Sequence, residues 1–254
     1  MGRAARSLAA VLALAAAPSS AFAAAPPSLP TQIRLAFTTD SSRVVVHFVS
    51  SNATDAPPYA PAAQWGLAPD ALLHDGVNCT TDSYVAWTIR SPQLHFCTLA
   101  GLPPGQTDVY YRVGDGATWS APLRFRTALA AGDATPFAFA VTGDMGIELS
   151  AGTMAQVAAE AAKRDLKFFS IHNGDASYAD NRQALFNGTI ADGVVNDFYE
   201  MISDAYATSV PTLFGIGNHA SKTCTMREPC QLAHIRGPAR SLTHLLAHWP
   251  TANL

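Results

Sequence analysis

Three short motifs combine glycine with a polar residue that could bind a metal, and each follows a predicted strand. They are Gly143-Asp144-Met145-Gly146, Gly174-Asp175-Ala176-Ser177-Tyr178 and Gly217-Asn218-His219. Carboxylate and amide oxygens are hard ligands, which suit manganese, iron or magnesium ions better than soft metals. Two unpaired buried carboxylates would be costly, so a cation is their natural compensation. Asp144, Asp175 and Asn218 are therefore candidate metal ligands.

The alternative interpretation of each motif is structural. A lone Gly-Asp after a strand is usually a turn or a helix cap. Here the three motifs follow three successive predicted strands, and the glycine in each lets the backbone turn sharply. We therefore favour one shared metal site over three unrelated turns.

The elements that would position these residues alternate between strand and helix from residue 136 onward. Apolar patterns predict strands over 137–142, 167–172 and 211–216, and helices over 153–166 and 194–206. This order predicts a mostly parallel sheet with right-handed crossovers, and ligands bind at the carboxyl ends of such strands. Thr153 and Gln156 have capping-box spacing, which predicts that the first helix begins there.

Residues 30–127 show a different pattern, of short strand-like runs separated by turn residues. The runs cover 33–37, 43–50, 63–66, 84–89, 93–99, 108–113 and 122–127. This spacing predicts an all-β sandwich of the immunoglobulin-like or fibronectin type III-like kind. Gly114-Asp115-Gly116 reads as a hairpin turn, and Tyr110-Tyr111 after Leu102-Pro103-Pro104-Gly105 resembles a tyrosine corner.

Composition narrows the classes of function. The chain has 254 residues, of which 48% are hydrophobic and 14% charged, and this excludes an intrinsically disordered protein. The net charge of −3 argues against nucleic acid as a partner and against a polybasic membrane patch. No apolar run reaches the roughly 20 residues that a membrane-spanning helix needs.

The N-terminus has the pattern of a targeting signal. Arg3 and Arg6 precede an apolar run over 8–17, and Ala21-Phe22-Ala23 supplies a cleavage pattern. Together these predict a secretory signal peptide over residues 1–23 and an extracellular, secreted protein; an alanine-rich disordered N-terminus is the alternative. The sequons that begin at Asn52, Asn78 and Asn187 are candidate glycosylation sites.

Export affects the interpretation of the four cysteines. Cys79 and Cys97 lie in one segment, and Cys224 and Cys230 in another. Local disulfides are expected outside the cytosol, whereas neither pair has the CxxC spacing typical of zinc. The pair Cys79 and Cys97 is a candidate disulfide, although spacing alone leaves the connectivity open.

Together these motifs resemble the purple acid phosphatases of the metallophosphoesterase superfamily. D-x-G, GD-x-x-Y and GNH follow successive strands behind a fibronectin-like segment. That segment supplies further matches: Trp65-Gly66, Ser91-Pro92, Leu94-His95-Phe96, Leu102-Pro103-Pro104-Gly105, Tyr111-Arg112-Val113-Gly114-Asp115, Trp119-Ser120 and Phe125-Arg126-Thr127. The resemblance implies a fibronectin type III-like N-terminal domain over 30–127 and a partial α/β metallophosphoesterase domain over 136–219.

The resemblance also implies a ligand set and a reaction. Asp144 and Tyr178 would bind Fe(III), Asp175 would bridge two metals, and Asn218 would bind a divalent Zn, Mn or Fe ion. His219 would contact the phosphate and aid protonation of the leaving group. The implied activity is hydrolysis of small phosphomonoesters at a dinuclear centre, where two cations acidify a bound water. A trivalent ion acidifies water more strongly than a divalent ion, so we expect activity at acidic pH.

The sequence departs from the family after Asn218. The family's V-x-x-H and G-H-x-H motifs do not occur downstream, and His172 matches no ligand role, so we interpret His172 as structural. Residues 220–254 carry four basic groups and one acidic group, whereas residues 24–219 carry 10 basic and 18 acidic groups. We interpret this divergent tail as a truncation or gene-model artefact; a genuine short variant is the alternative.

Three functions follow as expectations. The first is a secreted acid phosphatase that is incomplete here and weakly active or inactive. The second is a non-catalytic secreted binding protein in which only the sandwich folds. The third is a related metallophosphodiesterase, against which Tyr178 and the sandwich weigh.

Overall fold

The computed structural model describes residues 29–50, 59–83, 85–86, 89–148, 150–163, 169–178, 189–215 and 217. Several sequence predictions lie outside the described residues: the signal peptide over 1–23, Asn52, Asn187, Asn218, His219 and the tail over 220–254.

Most of the predicted strands and both helices occur in the predicted order, with several changes of length. The strand predicted over 84–89 is wrong: the structure has two short antiparallel strands there, Val85–Ala86 and Ile89–Arg90, and four further strands were not predicted. The strands are β1 (Thr31–Phe37), β2 (Arg43–Ser50), β3 (Ala62–Gly66), β4 (His74–Asp75), β5 (Val77–Asp82), β6 (Val85–Ala86), β7 (Ile89–Arg90), β8 (Gln93–Ala100), β9 (Asp108–Gly114), β10 (Leu123–Arg126), β11 (Ala140–Thr142), β12 (Met145–Gly146), β13 (Ser170–His172), β14 (Ala176–Ser177) and β15 (Thr212–Phe214). The helices are α1 (Ala151–Ala162) and α2 (Thr189–Ile202), and α2 continues into a π-helical turn (Ser203–Ala207).

The first half folds as two antiparallel sheets around one core. One sheet has the strand order β1-β2-β8-β5 and the other β10-β9-β3-β4. Val44, Val46 and Phe48 alternate along β2, and all three side chains are almost completely buried between the sheets. The predicted sandwich is therefore confirmed, with period-2 burial as its cause.

The exposed edge strands β4 and β5, one at the edge of each sheet, were absent from the prediction. Both strands are polar and mostly exposed, so they lack the apolar alternation that reveals a strand. Cys79 on β5 forms a disulfide with Cys97 on the neighbouring β8, with their Cα atoms 4.1 Å apart. Exposed Asn78, a glycosylation candidate, has a φ of 52° at the irregularity in this pairing.

The second half contains a three-stranded parallel sheet in the order β11-β13-β15. Helices α1 and α2 pack against it through the faces that the apolar pattern predicts, with Met154, Val157, Phe198 and Ile202 buried. The capping-box prediction is wrong. Helix α1 begins at Ala151 after Ser150, which makes no side-chain capping hydrogen bond, so Thr153 lies inside the first turn.

The two halves contact each other through β1 and the C-terminal end of α2. The Ser203 hydroxyl donates to the Ile33 carbonyl at 3.0 Å. The backbone N–H of Gln32 donates to the Glu200 carboxylate at 3.1 Å. The guanidinium of Arg34 lies 3.9 Å from the ring centre of Tyr199. Burial lowers the pKa of Arg34 to about 10, although Tyr199 and Glu200 act in the opposite direction.

Two turn predictions have opposite outcomes. The hairpin turn at Asp115 is confirmed, because its carboxylate accepts hydrogen bonds from the amides of Ala117 and Thr118. The tyrosine corner is wrong, because the Tyr111 hydroxyl donates to the Thr208 carbonyl in the second half, at 2.7 Å, and not to nearby backbone. None of the described helices has the length and apolar character needed to cross a bilayer.

Candidate metal centre

The parallel sheet aligns the ends of its strands in one row. Thr142, His172 and Phe214 are paired across β11, β13 and β15, and each is the last residue of its strand. The ladder continues beyond them, since the Asn173 amide donates to the Thr142 carbonyl at 2.6 Å and the Gly215 amide to the His172 carbonyl at 2.7 Å. The segments that follow the strands therefore leave the sheet side by side.

The first two of these segments carry candidate ligands in matching positions. The Asp144 amide donates to the Gly174 carbonyl at 3.2 Å, and the short strands β12 and β14 then pair in parallel, Met145 opposite Ala176. This register places Asp144 and Asp175 at equivalent positions on neighbouring loops. The backbone pairing thus places these two residues next to each other, at the sheet edge that the sequence predicts.

Tyr178 joins the two loops through its side chain. Its hydroxyl donates a hydrogen bond of 2.5 Å to Oδ1 of Asp144. Asp144 is exposed and Tyr178 half-buried, so the pair lies at the surface end of the sheet. The phenol and the carboxylate, which are implied ligands of the same ion, are therefore in direct contact.

Asp175 is buried, with 7% of its surface exposed, and contacts the third loop. A Cβ atom built on Gly217 would overlap both the carboxylate and the backbone nitrogen of Asp175. Only glycine can approach Asp175 this closely, which explains the glycine in the third motif. Asn218 and His219 directly follow this contact but lie outside the described residues.

The backbone of the candidate centre is strained. Asp144, Asp175, Ser177 and Tyr178 have φ values of 53°, 53°, 66° and 53°, in the left-handed region. This region costs a residue with a Cβ roughly 1–2 kcal/mol. Of the seven non-glycine residues with positive φ in the described chain, four lie in these two loops. Such strain concentrates at functional sites, where the surrounding structure must hold it in place.

His172 is the last residue of β13 and packs beneath the loop that carries Asp175, on the core side of the sheet. It is completely buried, its Nδ1 lies 3.1 Å from the Thr142 hydroxyl, and its ring packs against Phe198 and Phe214. Burial lowers the pKa of His172, although the nearby Asp144 and Asp175 act in the opposite direction. These contacts fit its interpretation as a structural residue.

Thr142 is a contributor that the sequence interpretation missed. Its hydroxyl links the ends of β11 and β13 directly before the two aspartates. The only signal in the sequence is a polar residue at the last position of an apolar run.

The donor set fits a hard trivalent ion. The hydrogen bond between Tyr178 and Asp144 brings two hard oxygen donors into contact, and Asp175 adds a carboxylate on the adjoining loop. Among the described residues, no group of three or more His, Cys, Asp or Glu side chains could hold a metal.

Comparisons with known proteins identify the N-terminal half. Residues 30–127 match the family model "Purple acid Phosphatase, N-terminal domain". This confirms the resemblance inferred from the sequence: the chain carries a domain of that kind. No curated protein sequence matches the chain.

The solved structures that match the chain include the following two. One is purple acid phosphatase PPD1 from yellow lupin (Lupinus luteus) seeds, with a TM-score of 0.60 and 21% identity over 76% of this chain. The chain spans only 36% of the length of that lupin protein. The other is Astrotactin-2, a vertebrate-specific, perforin-like membrane protein, with 12% identity, 54% of this chain and 25% of that chain covered, and a TM-score of 0.27, too low for any argument.

Proposed function

We propose that this protein is a secreted hydrolase of the purple acid phosphatase type, acting on small phosphomonoesters. The observation that carries the proposal is the hydrogen bond between Tyr178 and Asp144 at the carboxyl edge of the parallel sheet, with Asp175 on the adjoining loop. A phenol oxygen among carboxylates favours a ferric centre over an ordinary magnesium site, because it is a strongly basic hard donor when ionised. The purple acid phosphatase domain over residues 30–127 supports the same family.

Each ligand has a distinct task in this proposal. Asp144 and Tyr178 would hold Fe(III), Asp175 would be a ligand shared by the two metals, and Asn218 would hold a divalent zinc, manganese or iron ion. When bound, the two cations supply an acidified water and neutralise charge on the phosphoryl oxygens. His219, next to Asn218, contacts the phosphate and donates a proton toward the leaving alcohol.

The surrounding chain prepares these groups for their tasks. The left-handed backbone at Asp144 and Tyr178 turns both side chains toward one another before any metal binds. The close contact with Gly217 fixes the Asp175 carboxylate, so little entropy is lost when it becomes a ligand. Preorganisation of this kind strengthens binding without additional contacts.

The test uses the full chain loaded with Fe(III) and then with Zn(II), and it follows binding of inorganic phosphate by visible absorption. We expect phosphate to shift the tyrosinate band, and p-nitrophenyl phosphate to be hydrolysed faster than bis(p-nitrophenyl) phosphate at acidic pH. Asp175→Asn should abolish both effects, whereas Asp204→Asn, on the exposed side of the π-helical turn, should change neither.

Two outcomes would contradict the proposal. A band that does not respond to saturating phosphate would exclude a phosphoryl site at the metal. Faster hydrolysis of the diester would instead favour a metallophosphodiesterase. The measurement of phosphate binding does not depend on turnover, so it tests the proposal even if the chain has low hydrolytic activity.

A further inference from the structure

Gly146, the last residue of the first glycine motif, lies beside the ring of Tyr178. Strands β12 and β14 pair in parallel, with Gly146 opposite Ser177. A Cβ atom built on Gly146 would lie 3.7 Å from Cδ2 of Tyr178, 3.9 Å from its Cβ and 3.7 Å from the Ser177 carbonyl oxygen. The Tyr178 ring therefore occupies the space into which a longer side chain at position 146 would extend.

Gly146 meets a requirement for space and not for backbone conformation. It is not among the glycines with positive φ in the described chain, so its backbone is open to other residues. Met145 is buried against the helices, and side chains alternate along a strand, so a side chain at position 146 would point away from that core. A methyl group at 3.7 Å makes an ordinary van der Waals contact, whereas a β-branched group extends further and has few rotamers with which to avoid the ring.

Contacts along its whole length hold Tyr178 in place. Its backbone N–H donates to the Ala176 carbonyl at 2.9 Å, and its hydroxyl donates to Oδ1 of Asp144 at 2.5 Å. Between these two ends, one edge of the ring lies over Gly146. The hydroxyl is further from the backbone than Cδ2 is, so a shift of the ring at Gly146 moves the oxygen by a larger distance. The space at Gly146 thus controls whether the phenol reaches Asp144.

We propose that Gly146 is a positioning residue that directs the Tyr178 phenol toward the candidate metal centre by leaving room for its ring. Gly146 supplies no ligand atom and acts only through Tyr178. Groups that orient a metal ligand affect metal binding nearly as strongly as the ligands themselves. The inference rests on the proposed function, in which the same phenol is a ligand of Fe(III).

A need for a flexible backbone is the competing explanation of the glycine. Alanine and valine at position 146 both remove that flexibility, so this explanation predicts similar losses from the two variants. The distances predict instead a threshold between them, because one added carbon fits beside the ring and three do not. The size of the side chain, and not the loss of glycine, is therefore the quantity to vary.

The experiment titrates the full chain, as Gly146→Ala and as Gly146→Val, with Fe(III) and follows visible absorption. Gly146→Ala should stay within about twofold of the wild-type affinity and keep the tyrosinate band unchanged. Gly146→Val should bind iron about tenfold more weakly and shift the band, as expected when the orientation of a ligand is altered. In a Tyr178→Phe background, Gly146→Val should cost no further affinity, because the ligand that it displaces is absent.

Nitration of the metal-free chain by tetranitromethane separates this inference from the ferric centre. Displacement of the ring should raise nitration of Tyr178 severalfold in Gly146→Val but not in Gly146→Ala, with Tyr110 in the sandwich as the internal reference. A wild type without a tyrosinate band would contradict the ferric centre. The nitration result would still decide whether Gly146 positions Tyr178.

Gly146→Thr, which has the shape of valine and a hydroxyl group, replaces Gly146→Val if that variant fails to fold, and the same changes are expected. The proposal is overturned if the alanine and β-branched variants behave alike. It is also overturned if the loss of affinity persists in the Tyr178→Phe background, or if nitration of Tyr178 stays at the wild-type level.

Discussion

The Tyr178 hydroxyl donates a hydrogen bond to the Asp144 carboxylate, and this bond joins two loops that are 34 residues apart in sequence. Both residues have left-handed backbone conformations, which the neighbouring strands β12 and β14 hold in place. Two residues with left-handed backbone whose side chains meet in this way mark a candidate functional site.

Replacement of Gly217 by alanine should disrupt the candidate centre. The new Cβ would overlap the Asp175 carboxylate and amide, so we expect a loss of about 1–3 kcal/mol in the free energy of unfolding. We also expect weaker Fe(III) binding, because Asp175 must move. Gly152→Ala is the control: its Cβ enters open space on helix α1, and it should raise stability by about 0.5–1 kcal/mol. Equal effects of the two variants in urea unfolding would contradict this assignment.

Replacement of Tyr111 by phenylalanine should weaken the contact between the two halves. The variant leaves the Thr208 carbonyl without its donor beside a buried ring, at a cost of about 1–3 kcal/mol. Tyr110→Phe, on the outer face of the same strand, should change stability by less than about 0.5 kcal/mol. Thermal unfolding of both variants measures the difference, and identical midpoints would show that the hydroxyl contributes nothing.

Acidification should destabilise the sandwich through His95. This side chain is completely buried, with Ser50 and Thr81 hydroxyls 2.8 and 2.9 Å from its two ring nitrogens, and burial lowers its pKa to about 4 from 6.5. Since the unfolded chain takes up this proton first, the stabilisation is complete above about pH 6.5 and is lost as the pH falls toward about 4. The slope for one proton is at most about 1.4 kcal/mol per pH unit.

The check is urea unfolding of the wild type and of His95→Gln at several values between pH 7 and pH 4. The variant should show a flatter dependence on pH, whereas His74→Gln, which removes an exposed histidine, should retain the wild-type slope. Parallel curves for the wild type and His95→Gln would exclude His95 as the cause.

Val141→Lys should reduce self-association of the chain. Val141 is 60% exposed on β11, which has β13 as its one strand partner among the described residues, and the exposed Phe139 lies beside it. Unpaired apolar edges promote strand pairing between molecules, and lysine opposes this pairing. Light scattering during concentration measures the effect. Thr153→Lys, on the exposed side of α1, adds the same charge elsewhere and should not help.

The sandwich and the parallel sheet could be predicted because burial imposes a period on the sequence. Val44, Val46 and Phe48 alternate, and Phe198 and Ile202 are spaced as one face of a helix, so each pattern reports a buried surface. The polar strands β4 and β5 carry no such pattern and were missed. The predicted start of α1 was wrong because Thr153 and Gln156 match the capping-box motif, whereas the helix already begins at Ala151, after Ser150.

The candidate centre was predictable in its residue types but not in its geometry. Glycine next to Asp144, Asp175 and Asn218 indicates sharp turns at strand ends, and the parallel order indicates a shared edge. The bond from Tyr178 to Asp144 depends on left-handed backbone at non-glycine residues, which no local propensity favours. Likewise, the Tyr111 contact with Thr208 depends on how the two halves pack, which lies beyond any local motif.

The most direct test is a titration of the full chain with Fe(III), monitored by visible absorption. If Asp144 and Tyr178 bind the same ion, the wild type should take up one equivalent and develop a tyrosinate band. Tyr178→Phe should lose that band and Asp144→Asn should bind iron more weakly, while Tyr110→Phe should match the wild type. A band of unchanged intensity in Tyr178→Phe would contradict a metal centre at this edge of the sheet.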